Sequence, residues 1–341
     1  MKILVTGAGG FLGKRLVERL LAHGQTDIRC MLRDTSKGAA LQQIAAQYPQ
    51  ANIELFAANL KYPQQMSAAI DGCGLILHAA AALKGSPAEM VLDSVVASRN
   101  LLDAIVALDP AKRPRIVLVS SFGAMGVAPL GRGATVDENT PMEPHPELRD
   151  VYSFTKHRQE QLFWDYRSRY NLDLVVLRPG VIYGPGTGHF STRVGLSMFG
   201  RFIHLGGDNL LPLTYVDNCA EAVVVAALAP EAGGQVYNVV DDDLLTSRQY
   251  LRLYRQQVKP LRAIPVPYWL LLWGSNKVAR YSEKSKGQLP AIFTPYKTQT
   301  MWGGNRFTNA KLKHLGWSPL VSTHDALQRT FASFRAESSH T

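Results

Sequence analysis

Tyr152 and Lys156 stand four residues apart, in the segment Tyr-Ser-Phe-Thr-Lys. On a helix, residues at i and i+4 lie on one face, so a phenol and an ammonium group can point into the same site. A free phenol has a pKa of about 10, and a nearby cation lowers that pKa by favouring the phenolate. The spacing therefore suits a tyrosine that acts as a general acid or base, although the same pair also occurs by chance on amphipathic helices.

A glycine-rich turn lies near the start of the chain, between the apolar run 2–6 and a helix-period segment at 11–23. Glycine lets the backbone approach a pyrophosphate, and the helix N-terminus directs free N–H groups at the phosphates. Strand, glycine turn and helix in this order predict a dinucleotide site. The cofactor-binding residues expected in this turn are Gly7, Gly10, Phe11, Leu12 and Gly13.

The end of the second predicted strand, Met31-Leu32-Arg33-Asp34, is where the adenosine ribose should lie. An acid at this point accepts hydrogen bonds from the ribose hydroxyls and favours NAD. Arg33 can instead bind a 2′-phosphate through two parallel hydrogen bonds, with Lys37 close by, so we predict a preference for NADP(H). In the alternative, Asp34 binds the ribose, Arg33 stacks on adenine, and NAD(H) is the cofactor.

Short apolar runs alternate with helix-period segments along the first half of the chain. We predict strands at 2–6, 28–32, 53–56, 75–79, 116–120, 174–177 and 236–240. We predict helices at 11–23, 38–48, 63–70, 88–108, 152–170 and 220–229. Because each strand is almost wholly apolar, the expected fold class is α/β, a doubly wound parallel sheet (Rossmann) covered on both faces.

The pattern loosens after residue 184, where proline-rich joints separate further helical segments. We expect residues 1–182 to form a dinucleotide-binding domain, to which residues 214–242 return. Residues 183–213 and 243–341 should form a smaller, mostly helical substrate-binding domain in the C-terminal part.

Two strand ends carry further polar candidates. Ser120 and Ser121 end the fifth strand, and Arg178-Pro179-Gly180 ends the sixth. In a doubly wound sheet these carboxyl ends line the ligand crevice. A serine there can hydrogen-bond a substrate oxygen, or it can simply complete a turn.

These motifs occur in the order and at the intervals of the extended short-chain dehydrogenase/reductases, which the chain resembles to about residue 334. That group contains nucleotide-sugar epimerases, 3β-hydroxysteroid dehydrogenases and dihydroflavonol reductases. The motifs that carry the resemblance are 6–13, His78-Ala79-Ala80, Ser120-Ser121, Tyr152 with Lys156, Arg178-Pro179-Gly180, Tyr215-Val216-Asp217-Asn218 and 234–239.

The resemblance implies roles for these residues. Tyr152 would be the catalytic acid or base, and Lys156 would hold the nicotinamide ribose and lower the tyrosine pKa. Ser121 would position the substrate oxygen, because it stands five residues before Gly126 as in the family. The family also implies a two-fold homodimer. The remaining cofactor contacts would be Asn59 (usually Asp in the family), Leu60, Ala79, Ala80, Pro179 and Val181.

The branch within the family follows from a few positions. Sugar epimerases usually carry an acid where Arg33 stands and often a tyrosine where Met125 stands, and this chain has neither. Its strand end is similar to the reductase branch. Residues 264–273 and 307–319 resemble the 3β-hydroxysteroid dehydrogenase branch.

Positive charge is concentrated near the C-terminus. Residues 248–341 hold 15 Lys and Arg against three acids, whereas residues 1–247 hold 22 and 24. This excess suits an anionic substrate, a peripheral contact with an acidic membrane through the aromatic segment 264–273, or only a solvated surface. No nucleic-acid-binding module accompanies it, so no nucleic-acid partner is expected. The bases that follow the aromatic segment are Lys277, Arg280, Lys284 and Lys286.

Several sequence features concern location and metals. No run of about 18 uncharged apolar residues is present, and the glycine turn begins too early for a signal peptide. Three scattered cysteines and nine histidines show no metal-ligand spacing, so no metal site is predicted. We expect a cytoplasmic protein, either free or peripheral to the inner face of a membrane.

Together the motifs predict an NAD(P)-dependent oxidoreductase that interconverts a ketone and a secondary alcohol. The substrate would be a small, hydrophobic molecule of lipid- or sterol-like character. One alternative is a nucleotide-sugar epimerase or dehydratase. Another is a non-catalytic dinucleotide sensor, against which the Tyr152 and Lys156 pair argues.

Overall fold

The computed structural model describes residues 1–198, 200–284 and 294–338. Its strands are β1 (Lys2–Thr6), β2 (Asp27–Leu32), β3 (Asn52–Ala57), β4 (Cys73–His78), β5 (Arg115–Val119), β6 (Thr135–Val136), β7 (Leu174–Pro179), β8 (Val181–Tyr183), β9 (Gly195–Met198), β10 (Arg201–His204), β11 (Leu213–Tyr215), β12 (Val236–Val239), β13 (Ala263–Pro265) and β14 (Arg306–Phe307). Its α-helices are α1 (Phe11–Ala22), α2 (Ala39–Ala46), α3 (Met66–Ile70), α4 (Pro87–Val91), α5 (Ala97–Val106), α6 (Val151–Tyr170), α7 (Val216–Leu228), α8 (Ser247–Gln257), α9 (Tyr268–Lys284), α10 (Pro295–Trp302), α11 (Ala310–Lys313) and α12 (Thr323–Ser338).

Seven strands form one parallel sheet in the order β12-β7-β5-β4-β1-β2-β3. The strand order reverses between β1 and β4, and such a switch point opens a crevice at the carboxyl ends of the two strands. The predicted doubly wound parallel sheet is therefore confirmed, and the crevice is where its ligand site should lie.

Both faces of the sheet are buried, as the side chains of β1 illustrate. Ile3 and Val5 pack in one apolar cluster with Leu16 of α1. Leu4 points to the opposite face and packs in a second cluster with Leu101 of α5. Burying each such side chain contributes about 1.5–3 kcal/mol, so the strands that end in the crevice are held firmly on both sides.

The helix predicted at 88–108 is interrupted. α4 and α5 are separated by a π-helical turn at Leu92–Val96. The carbonyl oxygen of Ser94 in this turn accepts hydrogen bonds from the Ser98 hydroxyl at 2.5 Å and from the Gln159 side-chain amide at 3.4 Å. A polar contact with α6 thus accompanies the wider turn, and the apolar period of the sequence does not reveal it.

The part after residue 184 contains more strand than expected. β9, β10 and β13 form a separate three-stranded sheet in the order β13-β10-β9. Pro265 lies in its edge strand β13, a position that tolerates a residue without an N–H donor. β12 belongs to the large sheet, and α7 belongs to the helical layer that covers it. The division into two domains stays a prediction.

The basic, aromatic segment forms α9 in the described part of the chain. Lys286, which belongs to the same predicted segment, lies outside the described residues. Among residues 1–198, 200–284 and 294–338, no helix has the length and apolar character needed to cross a bilayer.

A buried ion pair joins α6 to the sheet. The Glu160 carboxylate accepts hydrogen bonds from Arg178 Nη2 at 2.6 Å and from the Ser120 hydroxyl at 2.5 Å. Arg178 lies in β7 and Ser120 directly follows β5, so one carboxylate joins the helix to two central strands. Tyr152 and Lys156 lie eight and four residues before Glu160 on the same face of α6, and the ion pair therefore sets their position.

Replacing Arg178 with Met should destabilise the protein by about 3–5 kcal/mol, because it leaves the buried Glu160 carboxylate without its cation. Urea unfolding followed by circular dichroism measures the change. The control is Arg248→Met, which breaks the exposed Arg248–Asp208 ion pair and should cost at most about 1 kcal/mol. Equal losses from the two substitutions would contradict the anchoring role of the buried pair.

Candidate active site

The glycine turn after β1 has the shape that a dinucleotide requires. Gly7 has a φ of +71°, and a Cβ there would lie 3.0 Å from the backbone nitrogen of Ala80. A Cβ at Gly13 would lie 2.0 Å from the Gly7 carbonyl oxygen, so α1 can pack this closely only with glycine. Gly10 caps α1 without a side-chain hydrogen bond, which leaves the first-turn N–H groups directed at the crevice.

A cavity of about 550 Å³ begins at this turn and follows the carboxyl ends of β1, β2 and β4. The predicted cofactor residues on its wall are Gly7, Gly10, Arg33, Asn59, Leu60, Ala79 and Ala80. Phe11, Leu12 and Gly13 do not line it, since they contribute the first turn of α1 and its packing against the glycine turn. The donor set and the close backbone approach fit a dinucleotide phosphate.

Exposed cationic side chains lie at the adenosine end of this cavity. The Arg33 side chain is 76% exposed, and its nearest carboxylate is Asp93 at 4.0 Å. Asp93 has a closer partner, Lys61, at 2.9 Å. Lys37 lies on the same wall. The Asp34 carboxylate accepts hydrogen bonds from the backbone N–H and the hydroxyl of Ser36, so it is engaged within its own turn.

A second cavity, of about 690 Å³, opens beside the first and shares Ala79, Ala81 and Leu83 with it. It extends from the sheet edge to α10. The predicted site residues on its wall are Ala79, Ser121, Tyr152, Lys156, Pro179 and Val181. The structure thus brings the three predicted catalytic residues together, next to the cofactor cavity.

The pKa of the Tyr152 phenol lies above its ordinary value, because burial disfavours the phenolate. A hydrogen bond with the Ser121 side chain acts in the opposite direction and lowers it. Ser121 also accepts a hydrogen bond from the Gly123 N–H at 3.0 Å, which fixes its hydroxyl in the turn after β5. A protonated phenol beside a serine hydroxyl can donate a proton to an oxygen placed between them.

Lys156 is almost wholly buried beneath this pair. Its ammonium group donates to the Val119 carbonyl oxygen at 2.7 Å and to Gln159 Oε1 at 2.6 Å. Burial lowers the pKa of Lys156 to about 7, and the nearby Glu160 carboxylate raises it in part. The expectation that Lys156 lowers the Tyr152 pKa differs from what the structure shows, since burial raises that pKa and Ser121 provides the opposing effect.

Two neighbouring polar residues have structural partners. Ser120 and Ser121 both line the cavity, but the Ser120 hydroxyl donates to Glu160. Ser121 is therefore the serine whose hydroxyl does not take part in the buried ion pair. His78 shares hydrogen bonds with the Thr6 and Ser98 hydroxyls, both at 2.9 Å. Burial lowers the pKa of His78 to about 3, so its imidazole stays neutral and serves packing.

Sequence reasoning missed the far wall of the second cavity. This wall comes from elements distant in sequence, the segment 191–196 and α10. No motif or spacing in the sequence relates these segments to Tyr152, and only their packing does. The charged and aromatic residues that they and the turn before α6 contribute are Arg149, Asp150, Arg193, Lys297 and Trp302.

Within the described part of the chain, no group of three or more His, Cys, Asp or Glu side chains is arranged to hold a metal ion. Asp241 and Asp242 both have protein partners, and Asp242 accepts from the Asn309 amide at 2.8 Å. Asp241 accepts hydrogen bonds from the Tyr215 N–H at 3.0 Å and the Asn218 amide at 2.9 Å, which ties the motif at 215–218 to the end of β12.

Comparison with known proteins agrees with this geometry. The 2-alkyl-3-oxoalkanoate reductase of Shewanella oneidensis is 27% identical, over 96% of this chain and 85% of that protein. The 3beta-hydroxysteroid-dehydrogenase/decarboxylase isoform 1 of Arabidopsis thaliana is 24% identical, over 97% and 79%. The solved UDP-glucuronic acid 4-epimerase of Bacillus cereus, in complex with UDP-glucuronic acid and NAD, has the same fold. It aligns with a TM-score of 0.71 and 18% identity over 99% of this chain and 100% of that one.

The family assignment follows from the sequence match and from the site. Residues 3–239 match the family model described as the NAD dependent epimerase/dehydratase family. This range includes the glycine turn, Ser121, Tyr152 and Lys156. The chain therefore belongs to the NAD dependent epimerase/dehydratase family, the extended short-chain dehydrogenase/reductases, and is an NAD(P)-dependent enzyme of that type.

Proposed function

We propose that the protein interconverts a ketone and a secondary alcohol on a hydrophobic, lipid- or sterol-like molecule. The observation that carries the proposal is that Ser121, Tyr152 and Lys156 lie together on the wall of the second cavity, directly beside the dinucleotide cavity. The nicotinamide cofactor, when bound, supplies or accepts the hydride. The chain's own residues bind the substrate oxygen and move its proton.

The proton chemistry follows from the surroundings of Tyr152. Because burial raises its pKa, the phenol is protonated at neutral pH and can donate to the carbonyl oxygen during reduction. The Ser121 hydroxyl can donate a second hydrogen bond to the same oxygen and stabilise the negative charge that develops there. Lys156 lies below the pair, held by Val119 and Gln159, where it can bind a ribose hydroxyl of the cofactor.

A hydrophobic substrate agrees with the cavity and with the relatives. Phe122, Leu196, Met301 and Trp302 supply apolar wall to the second cavity. The Shewanella relative is named for an alkyl-substituted oxoalkanoate and the Arabidopsis relative for a hydroxysteroid, both of them molecules with large apolar parts.

Replacing Tyr152 with Phe should lower turnover at least about 100-fold, because the general acid is lost while the ring remains. Cofactor affinity should change by less than about threefold by the same reasoning. Turnover is followed by the absorbance of NADPH with whichever hydrophobic ketone the wild type reduces fastest. Tyr170→Phe, on an exposed tyrosine at the far end of α6, is the control and should keep full activity.

Two outcomes would contradict the proposal. One is wild-type activity in Tyr152→Phe. The other is interconversion of a UDP- or GDP-sugar without net consumption of cofactor, which favours the epimerase alternative.

NADP(H) is the proposed cofactor because of Arg33. Its guanidinium is exposed in the first cavity and lies 4.0 Å from its carboxylate partner Asp93, which Lys61 approaches more closely, so it is available to a 2′-phosphate. Lys37 adds a second cation on the same wall. The Asp34 carboxylate, which would bind the ribose in the alternative, already accepts hydrogen bonds from Ser36 and is therefore less available to the ribose hydroxyls.

Arg33→Met should weaken NADPH binding by about 10–100-fold, because charge-assisted hydrogen bonds to the 2′-phosphate are lost. NADH affinity should change by less than about threefold. Fluorescence titration of the purified protein measures both. Arg99→Met is a matched control, since Arg99 is also exposed, has a carboxylate at 3.8 Å and lies outside both cavities. NAD(H) would be favoured instead if Asp34→Asn lowered the affinity for NADH and Arg33→Met left the affinity for NADPH unchanged.

Peripheral membrane contact is a further proposal, supported by the exposed face of α9. Trp269 and Trp273 are 69% and 58% exposed, which is unusual for tryptophan in water. The Lys277 ammonium lies 5.7 Å from the Trp273 ring, and Arg280 is exposed one turn further on. Aromatic rings beside cations suit the interface of an anionic membrane. A cytoplasmic location and the two-fold homodimer also stay predictions.

The double variant Trp269→Ser/Trp273→Ser should bind vesicles of phosphatidylcholine and phosphatidylglycerol at least about tenfold more weakly, because two rings no longer enter the interface. Co-sedimentation with those vesicles measures the affinity. Tyr170→Ser, on another exposed aromatic, should bind like the wild type. Failure of the wild type to sediment with anionic vesicles would refute the membrane contact.

A further inference from the structure

An arginine without a carboxylate partner lies on the wall of the second cavity. Arg193 Nη1 donates to the Met301 carbonyl oxygen at 3.2 Å, and the Arg193 carbonyl oxygen accepts from the Trp302 indole N–H at 3.2 Å. These contacts fix the residue between the segment 191–196 and α10. Within residues 1–198, 200–284 and 294–338, no ion pair joins its guanidinium to an acidic side chain, although Asp150 is near enough to raise its pKa.

The wall of this cavity carries more cations than carboxylates, with Arg149, Lys156, Arg193 and Lys297 against Asp150. Arg149 is already paired with Glu143 at 2.5 Å and also donates to the Met125 carbonyl oxygen. Asp150 is engaged as the N-cap of α6, where it accepts from the N–H and the hydroxyl of Ser153. Positive charge on the cavity wall therefore exceeds the negative charge available to balance it.

Burial lowers the pKa of Arg193 to about 10, with the Arg149 charge acting in the same direction and the Asp150 carboxylate opposing both. The guanidinium nevertheless stays charged at neutral pH. A partly buried charge is costly unless an opposite charge or strong hydrogen bonds compensate it. Because four of its five N–H donors have no acceptor among the described residues, a ligand in the cavity can supply that compensation.

Lys297 of α10 adds a second cation to the same cavity. Its backbone N–H donates to the Thr294 hydroxyl at 3.2 Å, at the first turn of α10. Met301 and Trp302 of the same helix contribute apolar surface beside it. The far wall thus combines the Arg193 guanidinium, a second positively charged residue and apolar surface that can contact a hydrophobic chain.

We propose that Arg193 binds an oxyanion of the substrate, a carboxylate or a phosphate, at the wall of the cavity that holds Tyr152. The substrate class is then an amphipathic ketone or alcohol with an acidic group, which deepens the proposed function and rests on it. The planar guanidinium can form two parallel hydrogen bonds to such a group. Binding there would orient the reacting carbon relative to Ser121 and Tyr152.

Isothermal titration calorimetry with octanoate, octyl phosphate and octanol tests this without turnover. The wild type should bind at least one of the two anions about 10–100-fold more tightly than octanol, since a charge-assisted pair is formed. The tighter anion identifies the acidic group. Arg193→Met should lose this preference and change octanol affinity by less than about twofold, whereas Arg193→Lys should keep part of it. Arg169→Met, on an exposed arginine at the far end of α6, should behave as the wild type.

The inference fails if the wild type shows no preference for either anion, a comparison that holds even if Arg193→Met does not fold. It also fails if Arg193→Met weakens all three ligands equally, because that is the signature of a structural role. Repeating the titration in Tyr152→Phe separates the two proposals. If Tyr152→Phe keeps both the anion preference and wild-type turnover, the proposed function is refuted and the anion site is not. If Tyr152→Phe loses turnover but neither protein prefers an anion, the anion site is refuted and the proposed function is not.

Discussion

The buried carboxylate of Glu160 is the constraint on which the active-site geometry depends. It holds α6 against β7 through Arg178 and against the end of β5 through Ser120. The helix therefore cannot slide or rotate without leaving a buried charge unpaired, which is costly. Tyr152 and Lys156 occupy the same helix face, so the ion pair determines where they stand relative to Ser121.

The site combines two electrostatic environments. Around Tyr152 and Lys156, burial disfavours charge, so the pKa of the phenol rises and that of the ammonium falls to about 7. At the two ends of the neighbouring cavities lie two cations: Arg33, whose partner Asp93 is 4.0 Å away, and Arg193, whose guanidinium donates to the Met301 carbonyl oxygen. A protonated acid at the centre with cations at both ends suits a reaction between two anionic ligands, a phosphorylated cofactor and an acidic substrate.

Local sequence signals predicted the dinucleotide half of the molecule well. The glycine turn, the alternation of apolar strands with helices, and the Tyr152 and Lys156 spacing are all features of short segments. The π-helical turn at Leu92–Val96 was missed because it accompanies a polar contact with Gln159, far away in sequence. The expected influence of Lys156 on Tyr152 was not found, since side-chain burial and hydrogen bonds depend on tertiary packing. Arg193 was missed for the same reason, because no motif links its segment to the site.

In the proposed reaction, a protein-bound acid protonates the oxygen of a carbonyl group while a cofactor hydride adds to its carbon. Incubating the purified protein with a hydrophobic ketone and NADPH or NADH that carries deuterium at both C4 positions, and then locating the label by mass spectrometry, tests this reaction. We expect deuterium on the carbinol carbon of the product in the wild type and almost no product in Tyr152→Phe. Product that carries no deuterium, or equal labelled product from both proteins, would contradict it.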